Sequence, residues 1–534
     1  MNVFGRHRDP PGPTRARHRG RGWRRRHAQQ VTGWLLGVLV AASVVLGGTL
    51  WSGVLWSANP LLRQAGGWVP SASAGYQVSG TVHMGGQLAG LAVPARITLL
   101  YPGAQGDRVL SDPADPQFVA LWGQVRALLL GIRRAQFAAS RHVGYKVAGL
   151  AVSRLSGSTP GIEVNFGPRL AWSHWVRLLG GSKRTRVPGD PPVTRVLLLP
   201  TAPSLTGKTH QASDAPVAYV LAGGAGVVVR VSSAAYQSLA RRIAALRGQP
   251  DLSSYPVSRF EVQRSPFLLA PGVLAPTRFP WRPVTARTET LNPARLASAL
   301  FPNPLSVHFH AGSGETVYSN GRQWLLTVRA AQGAMSFFVP PGGRPPGAPS
   351  WYAGLDAAVH FVDARGGWPL SSWLLHSQAL YDQRRCTLAS CPRTGYTYAF
   401  TTRLAGLPVL TPAGVGGVLS VTVIGSGLNA TFYGRHVPIP GRPVPGYGKP
   451  ISASRALRIL GRRPPAPIIG RQVQVLDVFP AWVPLWQPRG RGVLEPVWAI
   501  TLAPVSHAGV THPLTALVDA YHADVIGFRP ANGA

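Results

Sequence analysis

Acidic side chains are scarce in this sequence. Only 18 of its 534 residues are Asp or Glu, against 54 Lys and Arg, which gives a formal net charge of +36. None of the five glutamates has a second carboxylate within four positions, so the paired carboxylates of a glycosidase are not indicated. The G-x-S-x-G and H-E-x-x-H patterns of common hydrolases are also absent. We therefore predict that the protein is not an enzyme, with no catalytic residue and no cofactor.

Lysine is almost missing as well. Four of the 54 basic residues are Lys and the other 50 are Arg, a bias that a GC-rich genome explains better than a ligand does. After Arg26 no basic run exceeds a pair such as Arg133-Arg134. Charges spread in this way are typical of a solvated surface, and we predict no nucleic-acid partner.

Metal and phosphate motifs are weak. Residues 206–209 read TGKT, but the first glycine of a phosphate-binding loop would fall at Ala202. His308 and His310 alternate in a predicted strand and share a face, yet no third ligand is evident nearby. Surface or core histidines explain this pair better, and no metal site is predicted.

What the chain does contain is a long uncharged stretch behind an arginine-rich tail. Residues 1–27 hold nine Arg and one Asp, and no charged residue occurs from position 28 to position 62. The apolar part, residues 31–56, exceeds the roughly 20 residues that cross a bilayer as a helix. Tryptophans near its two ends fit the aromatic belts of the membrane interfaces. These interface anchors are Trp34, Trp51 and Trp56.

We interpret this stretch as a membrane anchor. The alternative is a secretory signal cleaved at Ala72-Ser73-Ala74, but that site lies 16 residues beyond Trp56, too far for ordinary processing. Arginines on the N-terminal side place the tail in the cytoplasm by the positive-inside rule. The predicted location is the cell membrane, with a single pass and an extracytoplasmic C-terminal body.

Small residues recur along the predicted membrane helix. Gly33, Gly37 and Ala41 recur every four residues, and small residues at this spacing let a neighbouring membrane helix approach closely. General tolerance of Gly and Ala in membrane helices is the alternative explanation.

Cys386 and Cys391 are the only cysteines, and an oxidising exterior favours a disulfide between them, with paired free thiols as the alternative.

The periodicity of the remaining chain predicts an α+β fold. A single N-terminal transmembrane helix is followed by a multidomain extracytoplasmic region of helix-covered antiparallel sheets. An amphipathic helix is predicted over residues 116–140 with Asp112 and Asp115 at its start, and a Pro-rich stretch without clear period separates two parts of the body. The predicted divisions are a cytoplasmic tail (1–27), a transmembrane helix (28–58), an N-terminal α+β domain (76–264), a connector (265–291), a central domain (292–350) and a C-terminal α+β domain (351–534).

Several sequence blocks resemble the YycH regulatory protein family in the same order. They begin with LAVPARITLLYPG and GIEVNFGPRLAWSHWVRLL, continue through ALFPNPLSVHFHAGSGETVYSNGRQWLLTV and AVHFVDARGGWP, and end with LEPVWAITL and ALVDAYHADVIGF. Together they cover most of residues 91–528. The last part is similar to the sheet domain of the sister protein YycI and of PepSY-like modules.

This resemblance implies a membrane-anchored auxiliary of a two-component system in Gram-positive bacteria. Such proteins modulate a sensor histidine kinase of the WalK type, which controls cell-wall metabolism, so the expected partners are that kinase, a YycI-like protein and the membrane. The family offers no catalytic residues to carry over. The alternative function is an envelope protein that recognises anionic wall polymers, using aromatic residues such as Trp172, Trp175, Trp351, Trp368 and Trp373.

Overall fold

Three sheets, antiparallel except for one short pair, account for most of the described strands. The computed structural model describes residues 81–530, apart from intervening segments of which the longest are 133–140, 145–158, 182–189 and 201–215. All described residues belong to one unit that begins at Val54. Six α-helices occur in the described part: α1 (Pro116–Leu130), α2 (Trp172–Leu178), α3 (Ser233–Ala245), α4 (Pro293–Leu300), α5 (Trp351–Asp363) and α6 (Ala453–Arg462).

The first sheet, called the N-terminal sheet, has nine strands in the order β11-β9-β3-β2-β5-β6-β7-β8-β4. Every neighbouring pair in it is antiparallel. Its strands are β2 (Arg96–Leu100), β3 (Asp107–Leu110), β4 (Arg141–Gly144), β5 (Gly161–Ala171), β6 (Pro192–Leu199), β7 (Val217–Ala222), β8 (Ala225–Arg230), β9 (Ser254–Arg259) and β11 (Leu274–Pro276).

The second sheet, called the middle sheet, has eight strands in the order β13-β14-β15-β16-β23-β22-β19-β18. Helix α5 packs on its strands β19 and β22. Its strands are β13 (Val307–Ala311), β14 (Glu315–Ser319), β15 (Leu325–Arg329), β16 (Ala334–Phe338), β18 (Trp373–Tyr381), β19 (Arg393–Thr401), β22 (Leu419–Ile424) and β23 (Thr431–Arg435).

The third sheet, called the C-terminal sheet, is built on the long hairpin of β25 and β26, and its one parallel pair joins β10 to β25. Its strands are β10 (Leu268–Leu269), β12 (Val284–Thr288), β24 (Pro438–Pro443), β25 (Val473–Trp486), β26 (Arg491–Ser506), β27 (Gly509–Val510), β28 (Leu514–Asp519) and β29 (Val525–Pro530). Two small pairs complete the described strands: β1 (Thr81–Val82) with β17 (Trp368–Pro369), and β20 (Arg403–Leu404) with β21 (Leu407–Pro408).

Helix starts follow local capping chemistry. The Asp115 carboxylate accepts a hydrogen bond of 2.7 Å from the backbone N–H of Gln117, and Pro116 occupies the first position of α1. The start predicted for this helix is therefore confirmed. Ser232 and Ser452 cap α3 and α6 in the same manner.

The N-terminal sheet is buried on both faces. Along β6, Val196 and Leu198 belong to a core shared with α1, α3, α5 and the middle sheet. Leu197 and Leu199 point the other way, into a core shared with α6 and the C-terminal sheet. Each fully buried aliphatic side chain contributes about 1.5–3 kcal/mol. Two-sided burial explains why the second half of β6, Val196 to Leu199, is a continuous apolar run instead of an alternating one.

Two parts of the expected organisation differ in the structure. Residues 265–291, expected as a connector, contribute β10 and β12 to the C-terminal sheet and β11 to the N-terminal sheet. Strand β12 has the sequence VTART with strict alternation of buried and exposed residues, and the prolines lie between the strands or at their ends. The expected boundary at residues 350/351 falls within the middle sheet, because β16 pairs with β23.

None of the described helices is long and apolar enough to cross a bilayer, and the longest, α1, has 15 residues. The expected membrane helix at residues 28–58 lies outside the described residues.

Candidate functional site

A cavity of about 120 Å³ lies where the three sheets meet. The N-terminal sheet contributes Arg96, Asn165 and Arg195 to its wall, and the C-terminal sheet contributes Asp477. Trp373 of the middle sheet also lines it. A second cavity of about 20 Å³ shares both arginines and Asp477. The volume accommodates several water molecules or a small polar ligand.

Strand register places the polar side chains of this cavity in a row. Arg96 of β2 lies opposite Asn165 of β5, which in turn lies opposite Arg195 of β6. Directly opposed residues in antiparallel strands have Cβ atoms about 4.5–5.5 Å apart on one face. Glu163 lies two residues before Asn165 and therefore shares that face. We call these four residues the polar row.

Asp477 of β25 closes the polar row from the opposite sheet. Its carboxylate forms an ion pair with the Arg96 guanidinium, and it accepts a hydrogen bond of 3.3 Å from the Asn165 side-chain amide. The Arg96 and Asp477 side chains are 12% and 18% exposed, so solvent screens the pair only weakly. The Asp477 carboxylate raises the pKa of Arg96 against the effect of burial. The pair thus bridges two sheets across 381 residues of sequence.

Glu163 and Arg195 form the second ion pair, with 3.1 Å between the Arg195 Nη1 and Glu163 Oε1 atoms. Burial raises the pKa of Glu163 to about 7, opposed by the nearby Arg96 guanidinium. Burial also lowers the pKa of Arg195 to about 10. The Glu163 carboxyl group therefore changes its charge near neutral pH, and with it the number of ionised carboxylates that balance the Arg96 and Arg195 guanidiniums.

A third buried arginine supports the cavity wall. Arg403 is 5% exposed and donates hydrogen bonds to the backbone carbonyls of Ser111 and Pro94. Its guanidinium carbon lies 5.1 Å from the centre of the Trp373 ring, a cation–π arrangement. Burial lowers the pKa of Arg403 to about 9. These contacts hold Trp373 in place at the cavity.

The side chains that line the cavity can bind a small polar or anionic ligand. The described residues that line it include no histidine, cysteine or lysine, and its hydroxyl groups have no paired base among them. Guanidinium groups at its edge suit a small anion or an ordered water cluster. The sequence pattern does not indicate this site as a unit. Its only signals are single charged residues within apolar strands, Arg96 in RITLL and Asp477 in VQVLDVFPAW.

The residues singled out from the sequence lie elsewhere. Cys386 and Cys391 form a disulfide in the structure. Gly33, Gly37 and Ala41, and the expected interface anchors Trp34, Trp51 and Trp56, lie outside the described residues, as do residues 206–209. His308 and His310 lie in β13, at one edge of the middle sheet. The five tryptophans considered for wall binding are all buried: Trp172, Trp175, Trp351, Trp368 and Trp373.

Comparison with known proteins gives structural neighbours only. No protein-family model and no curated protein matches the chain. The crystal structure of YycH from Bacillus subtilis is similar, with a TM-score of 0.47 and 14% identity, over 81% of this chain and 100% of that chain.

Two further solved structures match about half of the chain. One is an uncharacterized protein from Eubacterium rectale ATCC 33656, with a TM-score of 0.30 and 11% identity, over 46% of this chain and 85% of that chain. The other is the Bacillus megaterium YpeB C-terminal domain, with a TM-score of 0.26 and 11% identity, over 46% of this chain and 99% of that chain. The chain resembles the YycH regulatory protein family in its ordered sequence blocks, and YycH is among the solved structures similar to it.

Proposed function

We propose that this protein is a membrane-anchored extracytoplasmic regulator that modulates a sensor histidine kinase of the WalK type. The observation that carries the proposal is the sequence order: an arginine-rich tail, an uncharged stretch over residues 28–58, and then the YycH-like blocks over residues 91–528. The kinase and a YycI-like protein are the proposed partners, and the cell membrane is the proposed location. The protein acts by contact, without catalysis.

The architecture of the body supports this role. A regulator shifts the equilibrium between two states of its partner only if it binds them with different affinities. A body that presents one fixed surface can distinguish the two states in this way. The polar row and Asp477 join the first and last parts of the body across a buried junction. All five tryptophans considered for wall binding are buried, so none of these rings is available for the alternative function, recognition of anionic wall polymers.

Membrane topology is the first test. A reporter enzyme active only outside the cytoplasm, fused after Ala534, should be active, because the arginines of residues 1–27 favour retention of the tail inside. The same reporter fused before Met1 should be inactive. Activity of the N-terminal fusion alone would contradict the proposed orientation.

Kinase contact is the second test. Gly37→Leu combined with Ala41→Leu should weaken co-purification with the kinase at least fivefold, because larger side chains prevent close helix packing. The matched control combines Ala42→Leu with Ser43→Leu, which lie on the opposite face of the predicted helix at 100° per residue. The control should co-purify as the unmodified protein does, and both variants should remain in the membrane fraction.

Two results would decide against this account. Equal co-purification of the two double variants would show that the coupling does not run through this helix face. Salt-sensitive binding of the purified chain to anionic wall polymer, together with no kinase in the purified fraction, would favour the envelope protein instead.

A further inference from the structure

Three side chains with metal-ligating atoms converge at the turn between β28 and β29. They are Glu495 of β26, Asp519 at the end of β28 and His522 in the turn. One ligand atom of each lies within 4.8 Å of the others. This cluster is separate from the polar row and independent of the proposed function.

Asp519 is fixed by its own turn. One carboxylate oxygen, Oδ1, accepts hydrogen bonds from the backbone N–H groups of Tyr521 and His522, at 2.7 and 2.8 Å. The second oxygen, Oδ2, lies 3.0 Å from the Nδ1 atom of the His522 ring. The Asp519 side chain is 5% exposed and that of His522 is 58% exposed. The turn therefore holds a buried oxygen beside an imidazole nitrogen that solvent can reach.

Glu495 supplies the observation that points to a ligand. The residue is 3% exposed, and its Oε1 atom accepts a hydrogen bond of 2.7 Å from the Tyr447 hydroxyl. Its Oε2 atom is buried without a hydrogen-bond partner. A buried polar atom left unsatisfied costs about 1–3 kcal/mol, and more when the group is charged. A cation bound at this oxygen would remove that cost.

We propose that Glu495, Asp519 and His522 bind a divalent cation of the Zn²⁺ class. Zinc binds histidine nitrogen and carboxylate oxygen at about 2.0–2.2 Å, so two ligand atoms on one tetrahedral ion are separated by about 3.4 Å. The 3.0 Å between His522 Nδ1 and Asp519 Oδ2 is close to that value. The Glu495 ligand atom lies within 4.8 Å of the other two and would move closer to complete three ligands. Water occupies the remaining coordination position.

The surroundings allow an ion to enter and to be held. Tyr447, Tyr521 and His522 line an open depression of about 430 Å³ together with Pro445, Gly446 and Gly448. The nearby Asp524 carboxylate pairs with Arg463 at 3.2 Å. In a chain with 18 acidic residues, three lie within residues 495–524 of this corner. A bound ion would tie the β28–β29 turn to β26.

Metal titration of the full chain tests the site. The protein is purified in detergent, stripped with EDTA and titrated with Zn²⁺ by calorimetry, with Mn²⁺ and Ca²⁺ in parallel. Because the chain contains 15 histidines, the informative quantity is the difference between variants. His522→Ala and Glu495→Gln should each weaken one Zn²⁺ site at least tenfold. Zn²⁺ should also raise the melting temperature of the unmodified protein, and neither variant should show the full increase.

The matched control is His360→Ala. His360 lies 3.6 Å from the Asp356 carboxylate on α5, an exposed His–Asp pair. This variant should retain the Zn²⁺ affinity of the unmodified protein within twofold. Circular dichroism of each variant without metal establishes that it folds. Equal affinity of the His522 and His360 variants, or tighter binding of Ca²⁺ than of Zn²⁺ at the site, would overturn the proposal.

Discussion

At the scale of single residues, Gly167 shows how tightly the three-sheet junction is packed. It has φ = +78°, and a Cβ atom placed there would lie 2.4 Å from the Trp373 ring. Its N–H donates a hydrogen bond of 3.0 Å to the Asn165 side chain, within the register shift of β5. Both the left-handed backbone and the close indole ring therefore require glycine.

Gly167→Ala should lower the free energy of unfolding by about 2–4 kcal/mol, because it adds backbone strain to a steric clash. Gly123→Ala is the matched control, since Gly123 lies within α1 and a methyl group at this position would meet no heavy atom within 4 Å. The control should stabilise the protein by about 0.5–1 kcal/mol. Urea denaturation followed by tryptophan fluorescence measures both. Equal effects of the two substitutions would contradict the structure at the junction.

The raised pKa of Glu163 predicts that the free energy of unfolding depends on pH. Its pKa of about 7 in the folded protein lies above the ordinary value of 4.5, so the folded state holds the proton more tightly than the unfolded state. Its stabilising contribution is complete below pH 4.5 and is lost as the pH rises through 7. The shift corresponds to about 1–3 kcal/mol after allowance for solvent screening.

Glu163→Gln removes this titration. The loss of unfolding free energy between pH 5 and pH 8 should be smaller in the variant than in the unmodified protein by that amount. Denaturation curves at several pH values measure the difference. Parallel profiles for the two proteins would show that Glu163 does not titrate in this range.

At the scale of elements, many helices and strands could be predicted, but their lengths often could not. The helical period of residues 452–460 matches α6 closely, and the β-branched run at residues 161–166 matches the first six of the 11 residues of β5. Strands β25 and β26 extend beyond the strand-like runs at residues 472–479 and 495–502. Pro480 and Pro484 resemble strand breakers in the sequence and conceal the continuation of β25, while Pro496 lies within β26 itself.

Their positions in the sheet make these prolines compatible with the strands. On the side away from β26, strand β25 pairs with β10 only at Gln474 and Val475 and forms one isolated bridge between Trp482 and Val409. Prolines are tolerated on a strand side that carries so few ladder bonds. Pro496 lies between the part of β26 that pairs with β12, up to Leu494, and the part that pairs with β28, from Val497. Sequence periodicity carries no information on which strands become neighbours, so it could not identify these positions.

The Cys386–Cys391 element is a closed loop with a sequence separation of five. A disulfide over so short a loop restricts the unfolded chain little, so its contribution should not exceed the ~2–4 kcal/mol typical of disulfides. Cys386→Ser with Cys391→Ser should accordingly leave the protein folded. Intact-mass measurement with and without reduction should show a two-dalton difference in the freshly purified protein. Two alkylatable thiols before reduction would reject the bridge.

At the scale of the whole molecule, the cavity between the three sheets forms through contacts between distant strands, and the sequence pattern does not display these contacts. Arg96 and Asp477 are 381 positions apart, and each looks like an isolated charge in an apolar strand. Only the arrangement of sheets brings them together. Strands from both sides of the boundary expected at residue 350 also pair in the middle sheet, a contact that the sequence does not display.

The Arg96–Asp477 pair should be important for the joining of the sheets. Arg96→Met should cost about 2–4 kcal/mol of unfolding free energy, because the partly buried Asp477 charge loses its partner. Arg96→Met combined with Asp477→Leu should cost less than the single change. Arg463→Met is the control at an exposed pair, whose side chains are 72% and 67% exposed, and should cost at most about 1 kcal/mol. Additive effects of the two changes at the buried pair would show that these side chains do not interact.

The C-terminal sheet has a consequence for biosynthesis. Strands β10 and β12 are made early, but their partners β25 and β26 follow about two hundred residues later. The face of the N-terminal sheet that carries Leu197 and Tyr219 packs against α6 and the C-terminal sheet. During translation this face stays uncovered until α6 and these strands emerge. Contacts so distant in sequence make folding slow and expose apolar surface to other chains. Production of this protein should therefore depend on chaperones that hold the nascent chain, and premature termination before residue 473 should yield aggregates instead of a smaller folded product.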